Sequence, residues 1–242
     1  MQASEKLNSL NIPLIVKGSG EPLIMLHGFL SSKEAFLKQI EYFSKYFTVV
    51  AYDLCGFGKN TPMPYPFDLS DYLYEFNKIA NCFNGRVNVM GHSFGCRVLL
   101  YSMATSDKIK KAVLCGVAGI KPKFSLKKQF KRCAYRILKP YLRQEVLEKK
   151  FFSSDYNLLN DIQKQSFKKV VNFYLDGQIN KIQVPVLAIF GSEDRETPIK
   201  SVGKVLKKQI KECSIVKMQD TGHFCFVQDA NQFNLIAKEF LL

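Results

Sequence analysis

The chain has 242 residues, 35 Lys and Arg against 21 Asp and Glu, a formal net charge of +14, and 47% hydrophobic residues. That length suits one domain with a single sizeable core, and no apolar run is long enough to span a bilayer. Seven cysteines without Cys-x-x-Cys or Cys/His ligand spacing read as reduced, buried small hydrophobes, not as a disulfide framework or a metal site.

In chain order, the start Met1-Gln2-Ala3-Ser4-Glu5-Lys6 lacks the charged-then-apolar layout of a secretory signal, so a cytoplasmic location is expected. Buried strands are expected near 12–17, 22–26, 47–52, 86–90, 111–117, 185–190 and 214–218. Helical patterns fall between them near 33–43, 69–82, 95–105, 199–208 and 229–241. This alternation predicts an α/β fold whose mostly parallel central sheet carries helices on both faces.

The strongest chemical signal is Gly91-His92-Ser93-Phe94-Gly95, placed behind the apolar run Val87–Met90 and ahead of a helical pattern from Cys96 to Tyr101. A strand, sharp turn and helix with serine at the tip is the layout of a nucleophile elbow, which projects the hydroxyl above the sheet. The run Pro185–Phe190 ends in Gly191-Ser192-Glu193-Asp194, setting a carboxylate at a strand's C-terminal end. The strand Ser214–Met218 is followed by Gln219-Asp220-Thr221-Gly222-His223. Ser93, Asp194 and His223 are therefore the expected catalytic residues, with Glu193 and Asp220 as fallback acids. Histidine accepts and returns a proton near neutrality and needs a carboxylate to fix its tautomer.

The chain's other two histidines, His27 and His92, fall beside the same motifs. His92 reads as a packing or hydrogen-bonding residue of the elbow. The strand Pro22–Leu26 ends in His27-Gly28-Phe29, where the backbone N–H of Phe29, with that of Phe94 after the serine, would form an oxyanion hole. His27 is expected to brace that loop and to lie within reach of substrate.

These residues resemble the α/β-hydrolase superfamily over essentially the whole chain, in Leu26-His27-Gly28-Phe29, Gly91-His92-Ser93-Phe94-Gly95, Gly191-Ser192-Glu193-Asp194 and Gly222-His223. Tyr52-Asp53-Leu54-Cys55-Gly56-Phe57-Gly58 matches the family's Asp-x-x-Gly-x-Gly turn, in which the resemblance makes Asp53 scaffold. The chain order Ser93, Asp194, His223 is also the family's. The resemblance implies a hydrolase core at 1–118 and 183–242 and a helical lid inserted at 119–182. Periodicity within that insertion suggests three helices: Leu126–Leu138, Leu142–Leu147, and one that aligns Leu158, Ile162, Val170 and Tyr174 on one face.

The first half of the insertion is strongly basic, with Lys121, Lys123, Lys127, Lys128, Lys131, Arg132, Arg136, Lys139, Arg143, Lys149 and Lys150 against Glu145 and Glu148. It reads either as a solvated face or as a field attracting an anionic substrate or membrane surface. Nucleic acid is not expected, because no recognition motif accompanies the charge.

Arg97, Phe124 and Phe224 join His27 as expected substrate contacts, with Phe151 and Phe226 as further aromatic candidates. The implied activity is hydrolysis of a small or medium ester, or a thioester or amide, through an acyl-enzyme, without metal or organic cofactor. Two alternatives remain on the same residues. One is a lyase resembling the menaquinone-pathway synthase, which shares an Arg four residues past the serine, as Arg97 is here. The other is a non-catalytic, hydrolase-like receptor. Carbon–carbon bond hydrolases usually carry a longer glycine-rich oxyanion loop than His27-Gly28-Phe29-Leu30.

Overall fold

The computed structural model describes residues 3–121 and 154–242. Its seven-stranded sheet runs β1 (Leu14–Lys17), β2 (Pro22–Leu26), β3 (Thr48–Tyr52), β4 (Val87–His92), β5 (Ile109–Cys115), β6 (Val186–Gly191) and β7 (Cys213–Met218). The spatial order is β1-β3-β2-β4-β5-β6-β7. β1 pairs antiparallel with β3, and the other neighbours are parallel. All seven strands fall where the sequence places them, within a few residues. β4 runs two residues further than expected, to His92, because His92 keeps the register with Cys115 of β5.

Alternation along each strand divides the core into two layers. Ile24, Leu26, Val50, Val89, Leu114, Ala188 and Phe190 face one side, which is covered by α1 (Ala3–Asn8), α3 (Leu69–Ala80), α4 (Phe94–Thr105) and α6 (Val202–Gln209). Leu23, Met25, Val49, Met90, Val113 and Ile189 face the other, covered by α2 (Leu37–Phe43) and α7 (Ala230–Leu241). In α3 the buried Leu69, Tyr72, Phe76 and Ile79 recur at helical spacing. Asp68 caps its first turn and Asp71 reciprocates on the Asp68 N–H. α6 starts later than the sequence suggests, because Pro198 to Ser201 form a separate turn closed by the Ser201 N–H on the Pro198 carbonyl.

Between residues 119 and 182 the described part holds two short helical turns, Ser154–Asn157 and Ile179–Lys181, and α5 (Asp161–Val171), whose N-terminus is closed by a reciprocal Asn160/Gln163 box. Leu158 departs from expectation: it precedes α5 and is 78% exposed, whereas Val170 is buried. α5 lies against the loop after β3. The Ser166 hydroxyl donates to the Phe67 carbonyl at 2.8 Å and the Lys169 ammonium to the Pro66 carbonyl at 2.6 Å. The first two expected lid helices, most of the basic run, Phe124 and Phe151 lie outside the described residues. Among the described residues no helix is long and apolar enough to cross a membrane.

Candidate active site

Parallel strands end on the same edge of a sheet, so the loops after β2, β4, β6 and β7 converge. His27, Phe29, Ser93, Asp194, His223 and Phe224 are on those loops, with Phe94 and Arg97 in the first turn of α4. Ser93, between β4 and α4, has φ +49° and ψ −108°, a combination seldom adopted by residues with a side chain. Gly95 makes this turn possible. A Cβ there would stand 2.7 Å from the carbonyl carbon of Leu26 and 2.8 Å from the carbonyl oxygen of His27. Phe94 opens α4, so its N–H belongs to the first turn and has no intrahelical acceptor. Phe29 follows Gly28 at the end of β2, and the Phe29 and Phe94 rings meet edge to face at 6.1 Å.

Asp194, just after β6, and His223, just after β7, meet at 2.9 Å between Oδ2 and Nδ1. Both are held from behind. The second carboxylate oxygen of Asp194 accepts the N–H groups of Glu196 at 2.8 Å and Thr197 at 2.9 Å, while Oδ2 also accepts the Thr197 hydroxyl at 2.7 Å. Burial alone pushes the Asp194 carboxyl up, but the hydrogen bonds from His223 and Thr197 outweigh it and hold the group down to about 2. Asp194 is therefore ionised across the neutral range and pins the Nδ1 proton of His223. Gly116, at φ +57°, passes so near that a Cβ would lie 2.9 Å from His223 Cε1.

His92 supports the same loop. Its Nε2 lies 3.1 Å from the backbone carbonyl of His223. A carbonyl only accepts, so Nε2 carries the proton and Nδ1 is bare. Burial, helped by the charge of His223, pushes His92 down to about 3, and the ring is neutral at physiological pH. It packs 4.8 Å, centroid to centroid, from each of His223, Phe224 and Phe226.

Ser93 opens onto two adjoining cavities. The larger, about 360 Å³, continues past Phe94, Arg97, Val117, Ile120, Val170 and Val202. The smaller, about 230 Å³, is lined by Phe29, His92, Ser93, Phe167, Glu196, His223 and Phe224. Phe29, Ser93, Phe167 and Glu196 border both. Arg97 is only 8% exposed. Its Nη1 donates to the carbonyl of Val170 at the end of α5, and its Nε has no partner. Burial lowers its guanidinium to about 10, which leaves it charged.

The structure thus brings Ser93, Asp194, His223, Phe29, Phe94, Arg97 and Phe224 to one cleft. His27 is corrected as a substrate contact. It is 0% exposed, with Nδ1 2.7 Å from the Gly28 carbonyl and Nε2 accepting the Leu54 N–H at 3.0 Å. Both ring nitrogens are occupied, Nδ1 within the loop after β2 and Nε2 tying that loop to the one after β3. Asp53 is scaffold: wholly buried, it takes the Lys33 ammonium at 2.7 Å and the N–H groups of Lys33 and Lys59. Sequence reasoning missed Thr197, Glu196 and Phe167. The spacing Asp194-x-x-Thr197 is a local side-chain-to-backbone turn signal that points to the first. Nothing local marks the other two.

A doubly covered, mostly parallel sheet, a serine at a strained strand-to-helix turn, and a histidine–aspartate pair on later strand ends define an α/β-hydrolase. Residues 21–161 match the family model described as the alpha/beta hydrolase fold, and the chain belongs to that family.

Among curated relatives, the (E)-2-((N-methylformamido)methylene)succinate hydrolase of Acinetobacter baylyi is 38% identical over 104 residues, 42% of this chain and 40% of that protein. The 2-hydroxy-6-oxo-6-(2'-aminophenyl)hexa-2,4-dienoic acid hydrolase of Metapseudomonas resinovorans is 23% identical over 248 residues, 93% of this chain and 85% of that protein. Among solved structures, a bacterial membrane phospholipase A shares the fold with a TM-score of 0.75 at 21% identity, covering 94% of this chain and 81% of that one.

Proposed function

We propose that the protein is a serine hydrolase that cleaves a small or medium carboxylic ester, or a thioester or amide, through an acyl-enzyme. Ser93 Oγ attacks the carbonyl carbon while His223 Nε2 takes its proton. Asp194 holds the other ring nitrogen and stabilises the imidazolium that forms. The N–H groups of Phe29 and Phe94 receive the oxyanion. As the intermediate collapses, His223 returns the proton to the leaving oxygen. Water, deprotonated by the same histidine, then releases the acid and frees Ser93. The observation that carries this reading is the His223–Asp194 pair at 2.9 Å, opening on the same cavity as a serine held at φ +49°.

The remaining assignments follow from that chemistry. Residues 119–182 act as a lid, supported by α5 lying across the loop after β3 and bordering both cavities through Phe167. Arg97, in the wall of the larger cavity, suits an acyl group that carries its own carboxylate. Two relatives are named for acids of that kind. The oxo-dienoic acid hydrolase, aligned over 93% of this chain, favours a second reading in which the attacked carbonyl is a ketone and a carbon–carbon bond breaks. The six described cysteines are free and buried, which supports a reducing, cytoplasmic setting.

The test is hydrolysis of p-nitrophenyl acyl esters from acetate to palmitate, with Ser93→Ala alongside. Serine-dependent turnover with a chain-length optimum is expected. Turnover that survives the substitution overturns the mechanism.

A further inference from the structure

The two cavities differ in chemistry, and the reaction assigns them different halves of the substrate. A leaving oxygen must be near His223 Nε2 to receive its proton, so the leaving group belongs in the cavity that His223 lines. The acyl group takes the larger one, whose wall includes Val117, Ile120, Val170 and Val202. The smaller cavity holds two aromatic pairs. Phe29 and Phe167 lie with ring centroids 5.0 Å apart, and Phe224 lies 4.8 Å from His92. Phe224 is 47% exposed, so its ring is open to contact from a bound group.

One carboxylate completes that cavity. Glu196 Oε2 stands 3.5 Å from His223 Nε2, and the residue borders both cavities at their junction. The backbone of Glu196 is fixed, because its N–H is held by Asp194 Oδ1 at 2.8 Å. Among the described residues lining the two cavities, Arg97 belongs to the larger and donates to Val170. His92 is neutral, held down to about 3 by burial, and His223 faces Glu196 as a cation only while it carries the proton taken from Ser93. Aromatic faces beside a single carboxylate recognise an organic cation, since ring quadrupoles and the negative charge both attract it and neither favours an anion.

We infer that the smaller cavity is a leaving-group site for an alcohol bearing an alkylammonium group, with Phe29, Phe167 and Phe224 supplying the rings and Glu196 the counter-charge. This rests on the serine-hydrolase reading for its chemistry. When the ester breaks, the released alcohol carries the proton from His223 and leaves as a cation. A carboxylate at the junction also disfavours leaving groups that are themselves anionic.

The experiment compares butyrylcholine with 3,3-dimethylbutyl butyrate, which has the same shape without the charge, and with p-nitrophenyl butyrate as a general reporter. For the wild type, kcat/KM for the choline ester is expected to exceed that of the neutral isostere about tenfold, the scale of a partly desolvated cation–π contact. In Glu196→Gln and Phe224→Leu the ratio of the two is expected to fall at least threefold. Serine-dependent turnover of the p-nitrophenyl ester with equal or lower kcat/KM for the choline ester overturns the inference and leaves the hydrolase reading intact.

If the p-nitrophenyl ester is not turned over, the hydrolase reading fails on its own, and calorimetric titration of folded Ser93→Ala with tetramethylammonium decides the site. Saturable binding that Glu196→Gln weakens supports it. No binding, or binding that the substitution does not change, rejects it.

Discussion

The Thr197 hydroxyl donates to Asp194 Oδ2 at 2.7 Å, on the same oxygen that holds His223 Nδ1 at 2.9 Å. Together with the Thr197 N–H on Oδ1 at 2.9 Å, this leaves the carboxylate little freedom to rotate. Thr197 is thus a positioning residue that acts through Asp194. Thr197→Val keeps the volume and removes the hydroxyl, and a fall in kcat of roughly tenfold is expected, about one charge-assisted hydrogen bond. Thr197→Ser restores the donor and is expected to recover most of the rate. A purely packing role predicts the opposite order, with Val close to wild type and Ser impaired, so the pair of kcat values separates the two.

The depressed Asp194 carboxyl makes a statement about pH. Its folded value of about 2 lies below the ordinary 3.8, so the unfolded chain binds this proton more readily. The stability it contributes is present above about 3.8 and is lost as pH falls toward 2. Asp194→Asn is expected to lower the Tm above pH 4, with the gap to wild type closing as the pH approaches 2. Scanning calorimetry between pH 2 and 6 gives both curves, and a gap that persists undiminished at pH 2 refutes the assignment. An acid limb of activity above pH 4 must then belong to a group other than Asp194.

What was legible in the sequence follows from where each piece of information resides. Strands of a buried parallel sheet are short apolar runs, so β2 through β6 announce themselves. Ser93, Asp194 and His223 sit at strand ends, where a polar residue after such a run is conspicuous. The partners that lie far along the chain were not legible. Arg97 meets Val170, and His92 meets the His223 carbonyl, only because α5 and the loop after β7 are brought over the elbow by the fold. His27 shows the intermediate case. Its place after β2 marked it as useful, but its partner, the Leu54 N–H, depends on how the loop after β3 returns beside β2. Glu196 and Phe167 reach the cleft through loop and helix placement that no local pattern encodes.

The elbow also predicts a steric lesion. A Cβ at Gly95 would meet the backbone of Leu26 and His27, at 2.7 Å from one carbonyl carbon and 2.8 Å from the next carbonyl oxygen. These are sheet and loop atoms that cannot step aside as a flexible side chain does. Gly95→Ala is therefore expected to cost roughly 2–3 kcal/mol and to displace the Phe29 loop. Gly177→Ala is the control, because a Cβ there meets nothing within 4 Å. Urea unfolding of the two variants should separate clearly, and equal midpoints would remove the argument for close approach at Gly95.

Glu75 carries the last prediction. It lies on the buried side of α3, where its carboxylate accepts the Cys55 N–H at 3.1 Å and the Asn60 amide at 2.9 Å. Burial pushes it up to about 7 from an ordinary 4.5, and those hydrogen bonds only partly offset the effect. Between those two values the native protein holds a proton that the unfolded chain has released. Stability from this group is thus full below 4.5 and falls as pH rises through about 7. Glu75→Gln is neutral at every pH and should flatten that decline, although it replaces one acceptor with a donor and so starts from a lower stability. Urea midpoints measured from pH 4.5 to 7.5 give the slopes, and a variant that declines as steeply as wild type would assign the dependence to another group.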